Sequence, residues 1–185
     1  MKPRCDRVIV VEGKYDKIRL ESCLDATVLT TDGFGLFHDE EKRALLRRLA
    51  KEKGLVILSD SDGAGGVIRS HLHTLTGGEG IVDLYVPPRK GKEKRKAAAG
   101  KAGLLGVEGI DNETIVSLFE RAHLLSEEKE PRKPRYTKYD LYRTGYLGTD
   151  GASEKRRAFL RRNLLPETLS SGAFLDVINL LELEL

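Results

Sequence analysis

Short apolar runs alternate with segments of helical period over the first two thirds of this chain, and strand signals disappear after that. Residues 7–11 (RVIVV) form a β-branched run of strand length. Lys14–Leu24 follows with helical spacing, and Ile18, Leu20 and Leu24 are expected to face inward. Ala26–Thr30 is a second short strand, and TTDGFGLFHD reads as a loop. Asp39 is placed to cap a helix over Glu40–Lys53, whose Leu45, Leu46 and Leu49 make an apolar stripe, and Gly54 stands at its C-terminal cap. Leu55–Ser59 is a third strand. A helix over Gly66–Leu75 ends at Gly77-Gly78, and a fourth strand, Ile81–Val86, is closed by Pro87-Pro88.

The resulting order, β-α-β-α-β-α-β, predicts an α/β fold: a parallel sheet flanked by helices, with right-handed crossovers. The stretch 89–105 lacks apolar periodicity and reads as a loop. Asn112–Leu125 is one more helix, with Ile115, Val116, Leu118, Phe119 and Ala122 on its apolar side. Residues 126–136 are charged and contain Pro131 and Pro134, the composition of a linker. From 137 to 185 only helices are expected: a capping box at Thr137–Asp140, a helix over Ala152–Leu164 with Ala158, Phe159 and Leu160 inside, and an amphipathic helix over Ser171–Leu183. The chain therefore divides into a domain at 1–125, a linker at 126–136 and a small all-helical C-terminal domain at 137–185, expected to dock on a partner or on the first domain.

Charge changes this picture by its placement. Lys and Arg total 32 against 29 Asp and Glu in 185 residues, a net charge of only +3. Yet Arg89, Lys90, Lys92, Lys94, Arg95, Lys96 and Lys101 crowd one loop, and Lys155, Arg156, Arg157, Arg161 and Arg162 crowd one helix. Such blocks attract polyanions, although a solvated loop and a solvated helix face account for them equally well. Cys5 and Cys23 have neither metal nor redox spacing, and His71 and His73 do not share a helical face. With no signal peptide and no apolar run of membrane length, a cytoplasmic protein is expected.

The candidate chemistry lies at two strand ends. Glu12 follows the first strand, and Asp60 and Asp62 follow the third. In an open parallel sheet the carboxyl ends of strands border the ligand crevice, so a separation of 48 residues in sequence does not keep Glu12 and Asp60 apart. Two carboxylates about 4 Å apart repel by roughly 4 kcal/mol at an effective dielectric near 20. A bound cation offsets that repulsion. Oxygen-only ligation favours Mg²⁺ or Mn²⁺ over Zn²⁺. Gly63, Gly65 and Gly66 allow close approach of a phosphate, Glu12 is suited to general acid–base work, and Lys14 to neutralising a phosphate. Taken alone, the D-x-D pattern has a structural explanation about as often, one Asp capping a helix and the other solvated.

The ordered set strand-E-G-x-x-D, T-D-G loop, strand-D-x-D-x-x-G resembles the Toprim domain of topoisomerases, bacterial primases and several nucleases. That resemblance implies general acid–base chemistry at Glu12 and magnesium binding, with two ions during catalysis, at Asp60 and Asp62 with Glu12. It makes Asp16 a further acid of the first motif and Gly33 the glycine of the second loop. The lysine-rich stretch, GKAGLLGVEGID, KYDLYRTGYLG and GASEKRRAFLRRNLL extend the likeness across the chain. Together they resemble the ribonuclease M5 family, which matures 5S ribosomal RNA by cutting both strands of its helical precursor. This implies a metal-dependent endoribonuclease whose partners are the 5S rRNA precursor and a ribosomal protein that binds it. A monomer is expected. The turn DSDGAGG, Gly109 after Glu108, and Tyr146 in place of a leucine depart from the family pattern. Glu108 is either a further acid near the site or part of a helix start. The alternatives are another Toprim nuclease acting on DNA and a non-catalytic RNA-binding assembly factor.

Overall fold

A computed structural model describes residues 1–31, 39–59, 63–87, 106–127 and 133–185. Four strands, β1 (Val8–Val11), β2 (Val28–Thr30), β3 (Leu55–Ser59) and β4 (Ile81–Tyr85), form one sheet in the order β2-β1-β3-β4. All three pairings are parallel. Every residue of β1 and β3 is buried, as expected of central strands covered on both faces.

The strands' alternation divides the interior in two. Ile9, Val11, Val56 and Leu58 face one cluster with α1 (Lys14–Cys23) and α4 (Asn112–Arg121). Val8, Val10, Leu55 and Ile57 face the other, with α2 (Glu40–Glu52) and α3 (Gly63–Thr76). That second cluster continues into α5 (Lys138–Arg143), α6 (Ala152–Arg162) and α7 (Ser171–Leu180) through Leu141, Tyr146, Phe159, Leu160, Phe174, Val177 and Ile178. Tyr146, Phe159 and Phe174 form an aromatic trio with centroids 5.5–5.7 Å apart. Ion pairs Lys17–Asp176 (3.1 Å) and Lys53–Glu182 (3.2 Å) lie along the same seam.

Local signals set the helix ends. The Asp39 carboxylate accepts from the Lys42 N–H (3.1 Å). Thr137 and Asp140 form a capping box, and the Thr137 hydroxyl and N–H hold the Asp140 carboxyl below its usual range. Gly54 ends α2 in the left-handed region at φ 74°, its N–H reaching back to Leu49 O (3.0 Å).

Three expectations need correction. Ile18 is 51% exposed, whereas Leu20 and Leu24 are buried. Positions 18 and 20 lie about 200° apart on a helix, so they cannot share a face; Leu20, Cys23 and Leu24 do. Ala158 is exposed, because Phe159 and Leu160 point inward and Ala152 completes their face. Helix α3 begins at Gly63, three residues before the expected start at Gly66. A first helical turn has N–H groups that need no intrahelical acceptor, so glycines are tolerated there, and Gly65 is buried against its surroundings.

Gly80 precedes β4 at φ 69°, and a Cβ built on it would lie 2.2 Å from Ala50 O. Gly80→Ala is expected to cost at least about 2 kcal/mol, combining the left-handed backbone penalty with overpacking. Denaturant unfolding measures this as a lowered midpoint at unchanged slope.

Candidate metal centre at the carboxyl edge of the sheet

The chain leaves β1 towards one face of the sheet, through α1, and leaves β3 towards the other, through α3. Adjacent parallel strands whose outgoing helices part in this way open a crevice at their carboxyl ends. Glu12 lies at that point. It immediately follows β1, and its side chain is exposed. Val10 pairs with Ile57, so continuing the register by two residues brings Glu12 level with Ser59. The neighbouring strand is anchored there too: the Thr31 N–H donates to Val11 O (2.9 Å), and the Thr31 hydroxyl donates to Glu12 O (3.3 Å).

Asp60 and Asp62 lie outside the described residues, as do Gly33 and the basic positions Arg89, Lys90, Lys92, Lys94, Arg95, Lys96 and Lys101. Among the described residues no group of three or more His, Cys, Asp or Glu is placed to hold a metal. The donor chemistry at the edge nevertheless fits a hard cation. Glu12 offers carboxylate oxygen. Both cysteines are buried, the Cys5 thiol donating to Arg7 O and the Cys23 thiol to Leu20 O, and burial pushes the Cys23 thiol up despite the pull of Arg19 and Lys2. His73 is engaged with Asp83 at 2.8 Å. Cys5, Cys23 and His73 are thus engaged in contacts of their own, and carboxylate oxygen such as that of Glu12 suits Mg²⁺ or Mn²⁺.

Other candidate residues separate into distinct roles. Lys14 is exposed in the first turn of α1, beside Glu12 in sequence. The Asp16 carboxylate accepts from the Gly13 N–H (3.0 Å), so it caps α1 and holds the turn that carries Glu12. Glu108 occupies a 3-10 turn, Val107–Gly109. Val107 shares a core cluster with Val11, Leu58 and Val86, and with Leu58 and Val86 it lines a small cavity near the carboxyl ends of β3 and β4.

The basic helix α6 is partly structural. Lys155 Nζ donates to Thr144 O (2.6 Å) and sits 4.6 Å from the Tyr146 ring centre. Arg156 donates to Tyr146 O (2.5 Å). Arg161 makes a two-pronged pair with Glu167, both distances 2.7 Å, which holds the Glu167 carboxyl low. The Arg162 guanidinium lies 5.4 Å from the Phe159 ring centre, while Arg157 is exposed. One feature escaped sequence reasoning. Arg69 is a buried cation at the ends of β3 and β4. Tyr146 serves as the hub of the C-terminal core, where burial raises its hydroxyl pKa.

Comparison with known proteins decides the family. Ribonuclease M5 of Lactiplantibacillus plantarum is 32% identical over 149 residues, spanning 80% of this chain and 74% of its own length. The chain belongs to the ribonuclease M5 family. Ribonuclease M5 of Borreliella burgdorferi is 29% identical over 150 residues, 81% of this chain and 74% of its own. The ribonuclease M5 of Bacillus subtilis is 29% identical over 149 residues, 80% and 73%. No family model matches the chain. Among solved structures, a small TOPRIM domain protein from Bacillus stearothermophilus has a TM-score of 0.44 and 21% identity, covering 66% of this chain and 94% of its own. The four-stranded parallel sheet flanked by helices is the α/β architecture that the strand–helix order predicts, with Glu12 at its topological switch point. Among the described residues no helix is long and apolar enough to cross a membrane.

Proposed function

We propose that this chain is a magnesium-dependent endoribonuclease that matures 5S ribosomal RNA, cutting both strands of the double-helical precursor. The observation that carries the reading is Glu12 at the switch point of a ribonuclease M5 sheet, level with the strand end from which Asp60 and Asp62 follow in sequence. Glu12, Asp60 and Asp62 would hold the cation, which, when bound, neutralises charge developing on the scissile phosphate. The exposed Glu12 carboxylate exchanges a proton with the attacking or leaving oxygen. Lys14 and the N-terminal end of α1 favour an incoming phosphate. Arg157 and the basic stretch at 89–105 bind the RNA backbone, and Lys155, Arg156, Arg161 and Arg162 combine that role with holding the C-terminal helices together. The protein acts as a monomer in the cytoplasm, on RNA folded by the ribosomal protein that binds 5S rRNA.

The test is incubation with 5S rRNA precursor, with and without Mg²⁺ and the cognate ribosomal protein, followed by mapping of the ends. Discrete cuts on both strands of the helix, dependent on Mg²⁺ and faster with the ribosomal protein, are expected. Intact precursor under all conditions overturns the reading, as does equal cutting of DNA of the same sequence. RNA affinity should also fall by about 10³-fold or more between roughly 50 and 200 mM salt if six or more phosphates are neutralised. Replacing Lys92, Lys94, Arg95 and Lys96 by alanine should flatten that slope in filter-binding titrations.

A further inference from the structure

Arg69 is 8% exposed, although an arginine is almost never buried unless its charge and donors are engaged. It lies in α3, and its guanidinium donates to the Ser59 hydroxyl. The same guanidinium stacks 4.1 Å from the centre of the Tyr85 ring. Ser59 and Tyr85 are register partners, the last rung of the β3–β4 ladder. The connection from β3 to α3 spans only residues 60–62: Ser59 is the residue before it, and Gly63, the first of α3, is the residue after it. Arg69 therefore ties the incoming flank of this connection to the helix that forms its outgoing flank. A planar guanidinium suits this double task, donating in its plane while stacking through its face. A lysine would keep the charge and lose the stacked, directional contact.

We infer that Arg69 is a positioning residue for the carboxylate-bearing connection, acting through Ser59 to fix where residues 60–62 begin and end. The inference rests on the reading that Asp60 and Asp62 hold the cation. Groups that orient metal ligands without touching the metal are typically worth about 10–100-fold in metal affinity or activity. Ser59→Ala removes only a hydroxyl, and Arg69→Lys keeps a cation, so the two variants bracket the contact with little disturbance of the fold.

The experiment measures Mn²⁺ binding to the full chain by calorimetry and, separately, kcat and KM on precursor RNA. Asp60→Asn serves as the reference for the metal site, and thermal unfolding verifies folding. Ser59→Ala and Arg69→Lys are expected to weaken Mn²⁺ binding about tenfold and to lower kcat at nearly unchanged KM. Guanidinium ion added to Arg69→Ala should restore part of both, and should do nothing for Asp60→Asn. If Asp60→Asn binds Mn²⁺ as tightly as the unmodified chain, the metal-site reading itself fails. If Asp60→Asn loses Mn²⁺ while Ser59→Ala and Arg69→Lys retain full affinity and full kcat, the metal site stands and the positioning role is overturned.

Discussion

Glu12→Gln is expected to reduce cleavage of precursor RNA by about 10²–10⁴-fold, the contribution of a positioned general acid or base. Asp60→Asn should reduce it at least as far, because it removes charge from the cation's ligands. Neither change should alter RNA affinity, since the phosphate contacts are assigned to the lysines and arginines. Glu12 is exposed, so its neutral isostere should leave the melting temperature within experimental error. The outcomes are read from single-turnover cleavage, RNA binding in the absence of Mg²⁺, and thermal unfolding. Normal cutting by either variant would sink the assignment of the site. Lost activity together with a lowered melting temperature in Glu12→Gln would instead make Glu12 a structural residue of the strand end.

Phe174→Ala should have the largest effect on stability. Phe174 is fully buried and packs against both Tyr146 and Phe159, at 5.6 and 5.5 Å between centroids. Truncation leaves a cavity beside Tyr146 and Phe159, at a cost of about 3–5 kcal/mol. For a chain of this size that lowers the melting temperature by roughly 6–20 °C. The same apolar cluster holds Val8, Val10 and Ile57 of the sheet, so the whole chain should unfold in one transition, before and after the substitution. Two resolved transitions in calorimetry would show instead that residues 137–185 fold as a separate unit.

Element identity was largely readable along the chain because it depends on local periodicity. Strands β1 and β3 are short β-branched or aliphatic runs buried on both faces, and the caps at Asp39, Gly54 and Thr137 use side chains or backbone freedom within a few residues. Ile18 and Ala158 were misplaced because an apolar residue reports a preference for burial without saying which face finds a partner. The basic run of α6 has the same ambiguity: its composition could not separate Arg161, paired with Glu167, from the exposed Arg157.

For the site, the acids and their order belong to the primary structure. The spacing of Glu12, Asp60 and Asp62 after apolar strands, with the surrounding motifs, was enough to resemble a family that the 32% identity then showed. Their chemistry follows from residue type alone, since carboxylates select hard cations whatever fold presents them. Three matters required the folded chain. The strand order β2-β1-β3-β4 sends α1 and α3 to opposite faces, and this makes the β1 and β3 ends a crevice rather than two separate edges. The C-terminal helices share one core with the sheet, because an apolar face is covered by whichever neighbour fits its shape, and no local pattern names that neighbour. Arg69 stands in no motif and in neither of the basic blocks that the sequence singles out. Only the approach of α3 to the last rung of β3 and β4 buries it against Ser59 and Tyr85, since a hydrogen bond or a stacked ring depends on distances between elements that spacing along a chain does not encode.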